Sequence, residues 1–277
     1  MTERNVLRLF PAPHQERGLE GLYLADDLAP PSRSGAPFVY TNFVSSIDGR
    51  IAVANPRKGR RTAPPAITNP RDWRLFQELA ARADALIVSA AFLRQIPEDQ
   101  LQDKLPVESR PRFQDLHDWR RAQGLPPQPA IVILSRSPDV TLAERCRHLD
   151  RPVYFALGRQ ADPTHRDAVE ATGAQIVVAG ASDRVEGKPL IDALGREGFR
   201  RIYSMAGPRV LHMLVKDRVL HRIYLTHFHR LLGGQSFDTL LEGEPLDPPA
   251  TLVPHALYYD PESSDGASQI FAAYDIR

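Results

Sequence analysis

Two turns that follow apolar runs carry the residues best suited to bind a phosphate group. Small residues at Ala206-Gly207-Pro208 would let a phosphate approach the backbone N–H groups at the start of a helix, and Arg209 would add a positive charge. Ser135-Arg136 follows the apolar run Ile131–Leu134, and its hydroxyl and guanidinium suit a ribose 2′-phosphate, because guanidinium donors match phosphate oxygens in pairs. Each turn also has a plainer interpretation, as a tight strand-to-helix connection and as a solvated turn.

A third group, His227 and His229, has the spacing of a metal-ligand pair. On a strand, two residues separated by one position point to the same face, so both imidazoles could reach one ion. No third ligand is evident, because His212 and His221 belong to other predicted elements. We therefore predict no metal site and interpret the pair as surface or dimer-interface histidines.

Helices that alternate with short apolar strands position these residues. The helix-start signature Asn69-Pro70-Arg71-Asp72 combines an N-cap side chain, a proline at the first helical position and a first-turn acid. The strand Ala85–Val88 follows that helix, and the alternation predicts an α/β fold with a largely parallel sheet. Antiparallel strands are expected at Ala256–Tyr259 and Gln269–Tyr274, and irregular structure over residues 11–37. The other predicted strands are Phe38–Ile51 with a turn at Asp48-Gly49, Ala130–Leu134, Val153–Leu157, Ile176–Val178, Arg201–Ser204 and Arg222–Phe228.

The composition is that of a globular chain and narrows the classes of partner. Of 277 residues, 42% are hydrophobic and 25% charged, with a net charge of +1, so the chain can bury a core and has no cationic excess to attract nucleic acid or anionic lipid. The most apolar run, Ala85–Leu93, is about half the length of a membrane span. The single Cys146 allows neither an internal disulfide nor a cysteine-based zinc site. We expect a cytoplasmic protein with a small-molecule ligand.

Four stretches together resemble the dihydrofolate-reductase-like proteins, and more closely the reductase domain of the riboflavin-biosynthesis deaminase/reductase family. The four stretches are Phe38–Ala52, containing S-x-D-G-R; Ile67–Ala90, containing I-T-N-P; Ile131–Arg136; and Ala206–Gly234, ending in L-L-G-G. The chain is similar to the stand-alone branch, which lacks the deaminase. Its His14-Gln15-Glu16 mimics the deaminase H-x-E, but no P-C-x-x-C follows.

The resemblance implies a fold, a cofactor and a reaction. It implies a dihydrofolate-reductase-like three-layer α/β domain over residues 38–277, preceded by an extended arm over residues 1–37, with a mixed, mostly parallel sheet and antiparallel C-terminal strands. It further implies NADPH as cofactor, hydride transfer to a pyrimidine ribosylamino phosphate to give the ribitylamino product, and a homodimer.

Matching the family position by position assigns both halves of the site. The substrate side is Asn42, Ser46 and Asp48, with Asp48 as the candidate proton handler or, alternatively, a turn acid that bonds its own backbone. The cofactor side, to which Arg209 is added for its charge, is Thr68, Ser89, Ala90, Ser135, Arg136, Ala206, Gly207 and Pro208.

Two departures from the family pattern fall on the substrate side. Met205 stands where the family has Glu, and Leu93-Arg-Gln-Ile-Pro97 replaces its D-D-P segment, although Arg110 or Arg112 could take over the role of the arginine that accompanies D-D-P. Two alternatives to the pyrimidine reductase therefore stay open. One is a reductase of another heterocycle, such as a pterin or folate. The other is a non-catalytic nucleotide-binding or interaction protein.

Overall fold

A mixed sheet with helices on both faces organises the chain. The computed structural model describes residues 5–28, 35–261 and 266–277. Its strands are β1 Val6–Phe10, β2 Gln15–Arg17, β3 Phe38–Ser46, β4 Ala52–Asn55, β5 Arg60–Thr62, β6 Ala85–Ser89, β7 Ala130–Leu134, β8 Val153–Leu157, β9 Gln175–Val178, β10 Arg201–Ser204, β11 Arg222–Phe228, β12 Phe237–Asp238, β13 Leu252–Asp260 and β14 Gln269–Ile276. Its α-helices are α1 Pro70–Arg82, α2 Ala90–Leu93, α3 Leu101–Lys104, α4 Gln114–Ala122, α5 Val140–Cys146, α6 Pro163–Glu170, α7 Gly187–Arg196 and α8 Pro208–Lys216.

The strand order confirms the predicted fold class. Across the described residues, the main sheet runs β2-β1-β13-β14-β11-β3-β10-β6-β7-β8-β9, and β12-β4-β5 form a small second sheet. From β11 to β9 every neighbouring pair is parallel. The C-terminal strands β13 and β14 join antiparallel beside β11, as the sequence predicts.

Alternate residues of each strand pack into two cores, one on each side of the sheet. Tyr40 of β3 shares a core with Leu79 of α1, and we call this side the α1 face. The neighbouring Val39 points the other way and shares a core with Leu214 of α8, which defines the α8 face. The protein therefore has three layers, with the sheet in the middle.

The N-terminus of α1 is fixed as the sequence predicts. The Asn69 side chain accepts hydrogen bonds from the backbone N–H groups of Arg71 and Asp72, both at 3.0 Å, and Pro70 occupies the first helical position. The Asn69 amide also donates to Gln269 Oε1 at 2.9 Å, which ties the helix start to β14.

The segment over residues 11–37 is more regular than predicted. Gln15–Arg17 forms β2, which pairs with β1, and β1 in turn pairs with β13, so this part of the chain extends the main sheet. The expectation missed this strand because polar Gln-Glu-Arg shows no apolar alternation; the strand is held by main-chain pairing with β1 and by a hydrogen bond from the Asn5 side chain to Glu16 at 3.2 Å. The buried Tyr23 anchors the segment that follows, since its N–H donates to Glu78 of α1 at 2.9 Å. Part of the predicted arm, residues 29–34, lies outside the described residues.

In the described ranges, none of the helices has both the length and the apolar character needed to cross a membrane.

Candidate active site

The carboxyl ends of the parallel strands meet at one edge of the sheet, and most of the predicted site residues lie there. The strands β3, β10, β6 and β7 are consecutive neighbours in the sheet. Ser46 ends β3, Ala206 follows β10, Ser89 ends β6, and Ser135 follows β7. Open α/β sheets bind their ligands in the crevice at this edge.

The turn at residues 206–209 leaves the start of α8 open. Gly207 is the N-cap residue, and no side chain caps the helix there. A Cβ atom built on Gly207 would meet nothing within 4 Å, so the space in front of the helix is free. Pro208 is the first helical residue, and the Arg209 side chain is 87% exposed, with Nε 3.6 Å from Glu242 Oε2. The dipole of a helix whose first turn has no side-chain cap favours an anion at that end.

Of the pair Ser135-Arg136, Arg136 lines a surface cavity. The Arg136 side chain is 75% exposed, and its Nη2 lies 3.3 Å from Asp183 Oδ2. Ser135 is buried, and its hydroxyl donates to the Ser137 carbonyl at 2.7 Å. The cavity has a volume of about 340 Å³ and is lined by Arg136, Ser137, Pro138, Gln160, Ala161, Asp162, His165 and Asp183.

The remaining residues predicted to bind the cofactor, Ser89, Ala90 and Thr68, differ in burial and in position relative to the sheet. The Ser89 hydroxyl accepts the Phe92 N–H at 3.2 Å and so caps α2, and Ala90 is buried behind it. Thr68 is exposed and immediately precedes Asn69, the cap of α1. Thr68 therefore lies on the α1 face, whereas the turn at 206–209 begins α8 on the other face.

The Asp48 carboxylate is fully engaged by its surroundings. It accepts the Ser46 hydroxyl at 2.5 Å, the Gly233 N–H at 2.8 Å and the Leu232 N–H at 3.2 Å, and Arg50 Nη1 lies 2.7 Å from Oδ2. The hydrogen bond from Ser46, followed by that from Gly233, lowers the pKa of Asp48 to about 2. This geometry favours the turn-acid alternative, since a carboxyl with so low a pKa holds no proton at neutral pH.

Asn42 is held by a buried tyrosine. The Tyr203 hydroxyl donates to Asn42 Oδ1, and the Tyr203 ring stacks on Tyr40 with 5.2 Å between centroids. Phe76 of α1 packs edge-on against Tyr203 at 5.9 Å. Asn42 therefore lies on the α1 face in a fixed orientation, and α1 is the helix that covers it.

Asp72 is a further candidate that the sequence shows only as a first-turn acid. Its Oδ1 accepts the Thr226 hydroxyl at 2.6 Å, and Thr226 belongs to β11. Burial raises the pKa of Asp72 to about 6, against the lowering effect of the Thr226 hydrogen bond. Acids in the first turn of a helix are common, and Thr226 is 154 residues away, so no local signal indicates this pair.

The two departures from the family pattern are absorbed into the fold. Met205 packs against the core of the α1 face, and in the segment that replaces D-D-P both Leu93 and Ile96 are buried. Arg110 and Arg112 have exposed side chains beside the buried Glu108, with Arg112 Nη2 3.8 Å from Glu108 Oε2.

The two histidines interact with neighbouring strands. His227 packs edge-on against Tyr274, and His229 Nδ1 lies 2.7 Å from the Ser268 hydroxyl. Burial, and then the neighbouring His229, lowers the pKa of His227. Within residues 5–28, 35–261 and 266–277, as the structure describes them, no group of three or more His, Cys, Asp or Glu side chains could hold a metal ion.

Comparison with known proteins places the chain in a family. The family model of the RibD C-terminal domain matches residues 37–257. A protein of Archaeoglobus fulgidus named 2,5-diamino-6-ribosylamino-4(3H)-pyrimidinone 5′-phosphate reductase is 26% identical over 208 residues, which are 75% of this chain and 87% of the relative. A protein of the same name from Aquifex aeolicus is 22% identical over 209 residues, 75% of this chain and 84% of the relative.

Solved structures show the same fold. A pyrimidine reductase-like protein from Corynebacterium diphtheriae superposes with a TM-score of 0.62 at 20% identity, covering 87% of this chain and 92% of its own. RibD from Acinetobacter baumannii gives 0.59 at 17% identity, covering 88% of this chain and 59% of its own.

The fold and the relatives together define an oxidoreductase of the α/β class, because the relatives matched over most of their length are named reductases. The chain belongs to the RibD C-terminal domain family.

Proposed function

We propose that the protein uses NADPH to reduce a pyrimidine ribosylamino phosphate to its ribitylamino product. The observation that carries the proposal is the meeting of two turns suited to phosphate with the residues assigned to the substrate at one sheet edge, in a chain that matches the RibD C-terminal domain family over residues 37–257. The relatives in Archaeoglobus fulgidus and Aquifex aeolicus are named as reductases of a ribosylamino pyrimidinone phosphate.

The cofactor half fits NADPH in two places. The open start of α8 at Gly207 suits the pyrophosphate, because no side chain caps this end of the helix and the helix dipole favours an anion there. Arg136 is mostly exposed and lines the cavity described above. It suits the ribose 2′-phosphate, which would replace Asp183 as the partner of its guanidinium group. When bound, NADPH supplies a hydride, and the residues of this chain hold and orient the two reactants.

The substrate half supports an amino-pyrimidine with a phosphate group. Asn42 presents a side chain whose carbonyl oxygen is already fixed by Tyr203. Arg110 and Arg112 are our candidates for the substrate phosphate, because two exposed guanidinium groups share the single carboxylate of Glu108 and leave a net positive charge. Trp73, beside Asp72 on α1, bonds the same carboxylate through Nε1 at 2.7 Å and so connects the arginines to the site.

Cofactor binding tests the first half of the proposal. Titrations of the purified protein with NADPH and NADH, followed by nicotinamide fluorescence, should give tighter binding of NADPH, and R136A should remove most of that preference. R121A is the matched control, because Arg121 is also 75% exposed and pairs with an acid, Asp118, at 3.1 Å. Equal affinity of the wild type for both nucleotides, or an equal effect of R121A, would contradict the role of Arg136.

Turnover tests the second half. The wild type should oxidise NADPH when the ribosylamino pyrimidine phosphate is added and should not do so with dihydrofolate or a dihydropterin. Turnover of only a pterin or folate would favour the other reductase, and NADPH binding without any turnover would favour a non-catalytic protein. The homodimer stays a prediction that rests on the family resemblance, and the cytoplasmic location stays a prediction that rests on the composition and the single cysteine.

A further inference from the structure

We propose that Asp72 is the acid that supplies the proton consumed in the reduction. The inference rests on the proposed function, and it concerns a residue that the family comparison does not single out. It depends on where Asp72 lies, on which groups surround it, and on the need of the reaction for a proton.

Asp72 lies at the carboxyl edge of the sheet on the same face as Asn42. It belongs to the first turn of α1, and Phe76, one turn further on, packs on the Tyr203 ring whose hydroxyl holds Asn42. Its partner Thr226 pairs in the sheet with Val44, two residues from Asn42 on that face of β3. Asp72, Thr226 and Asn42 are therefore parts of one site.

The groups around Asp72 leave its carboxyl able to hold a proton. Tyr23 from the N-terminal segment and Tyr203 from β10 lie close enough to interact with it electrostatically, and the pKa of each is raised well above 10 by burial, so both stay neutral. Thr226 contributes a neutral hydroxyl from β11. Arg71, the adjacent residue, directs its guanidinium to Asp260 of β13, with Nε 2.8 Å from Oδ2.

The other ionisable groups at the substrate side serve less well as a proton source. Asp48 accepts several hydrogen bonds, and with its pKa near 2 it is ionised at neutral pH. The Tyr203 hydroxyl is committed to Asn42 and is too weak an acid. Asp72, with a pKa near 6, is protonated in a useful fraction of molecules near neutral pH and can be reprotonated from water after each turnover.

The reaction has one place for this proton. As the C1′–O4′ bond of the ribosylamino group breaks, O4′ takes the proton from the Asp72 carboxyl, and C1′ and the exocyclic nitrogen form a double bond with positive charge on nitrogen. Bound NADPH would supply the hydride for C1′, and the electron pair of the double bond would return to nitrogen. The sum is one NADPH and one proton consumed, with an open-chain ribitylamino group as product and an ionised Asp72 to be reprotonated.

Turnover and its pH profile test the inference. D72N should lower kcat by about 100-fold or more while NADPH affinity stays as in the wild type. In the wild type, kcat should fall as pH rises through the pKa of Asp72, because the acid must be protonated. T226V removes a hydrogen bond that favours the ionised form, so it should raise that pKa and move the fall in kcat to higher pH.

Several outcomes would overturn the inference. One is a kcat of D72N equal to that of the wild type. Another is a low kcat in D72N combined with a pH profile of kcat in T226V that matches the wild type, which would give Asp72 a purely structural role. The pH dependence of thermal unfolding in the wild type and D72N, without ligand, reports the pKa of Asp72 independently of activity. A wild type that turns over the substrate keeps the proposed function intact whatever D72N shows, whereas a wild type that does not would overturn both.

Discussion

The two aspartates near the substrate side have opposite electrostatic settings. Asp48 accepts hydrogen bonds from a hydroxyl and two backbone N–H groups and forms an ion pair with a guanidinium group, and all of these interactions favour its charged form. Asp72 accepts one neutral donor, the Thr226 hydroxyl, and its burial favours the neutral form. Two carboxyl groups in such different environments perform different tasks, one holding a loop and the other carrying a proton.

The role of Asp48 as a loop anchor predicts the effect of removing its charge. D48N should lower kcat/KM by about 100-fold, because an amide cannot accept all of these donors and the loop at Leu232-Gly233 loses its fixed position. The pH profile of kcat should keep its wild-type midpoint, since Asp48 does not titrate near neutral pH.

The control for D48N is D118N, which changes an exposed acid of α4 paired with Arg121 at 3.1 Å. Steady-state kinetics from pH 5 to 9 checks the prediction. A shifted midpoint in D48N would mean that Asp48 handles the proton after all, as the family match suggests.

At the scale of elements, the N-terminus of α1 determines where Asp72 lies. Asn69 caps the helix and also bonds Gln269, so N69A removes both a cap and a link to β14. We expect the free energy of unfolding to fall by about 2 kcal/mol and kcat to fall with it, because the first turn that carries Asp72 loses its support.

Thermal unfolding and turnover of N69A, beside those of D139A, check this prediction. Asp139 caps α5 by accepting the Leu142 N–H at 2.9 Å and also accepts Arg94 Nε–H at 2.8 Å, so D139A, like N69A, removes a cap together with a link to another segment, but at a helix that does not carry Asp72. It should lose stability and keep its turnover number. Equal turnover numbers in the two variants would show that the cap of α1 does not position the site.

The sequence predicted elements better than it predicted their partners. The cap of α1, the turns after β7 and β10 and the antiparallel C-terminal strands each have a local signal, such as a capping residue, a proline or an apolar run. The strand β2 has none, since it forms only because β1 offers an edge. The sequence also did not predict the contact between Asp72 and Thr226, because that contact exists only in the assembled sheet.

At the scale of the whole molecule, an ionic cluster ties the N-terminal segment to the sheet. Asp26 accepts His255 Nε2–H at 2.7 Å and Arg222 Nη1–H at 2.9 Å, and it also accepts the Tyr224 hydroxyl. The residue therefore connects the segment before residue 28 to β11 and β13. The boundary between arm and domain at residue 37 stays a prediction, although β1 and β2 already belong to the main sheet.

This cluster makes stability depend on pH. The hydrogen bond to Asp26 raises the pKa of His255 above 6.5; burial works against ionisation of Asp26, but the bond from His255 and the charge of Arg222 outweigh it and hold its pKa below 3.8. A histidine whose pKa is raised in the folded state stabilises the fold fully below pH 6.5, and this stabilisation is lost as pH rises. An aspartate whose pKa is lowered stabilises the fold fully above pH 3.8, and this stabilisation is lost as pH falls. The cluster therefore contributes most between about pH 4 and 6.5.

H255Q should lower stability by about 1 kcal/mol at pH 5.5, or about 2–4 °C in Tm, and by less at pH 9. Thermal unfolding at the two pH values checks this. The control is H165Q, because His165 is 62% exposed and its ion pair with Asp162 should contribute little at either pH. A Tm difference for H255Q that does not change with pH would contradict the electrostatic account.

The position of β3 has a consequence for how the protein is made. β3 lies between β10 and β11, yet the ribosome completes those two strands more than 150 residues after it. During synthesis both edges of this central strand therefore stay unpaired until β10 and β11 emerge. Pairing it then closes very long loops, and folding steps that close long loops are slow. The site forms late in synthesis, since Asn42 and Asp72 acquire their partners Tyr203 and Thr226 only when β10 and β11 insert. Until then the nascent chain exposes two unpaired edges of an apolar strand, and we expect a chaperone to bind it during that time.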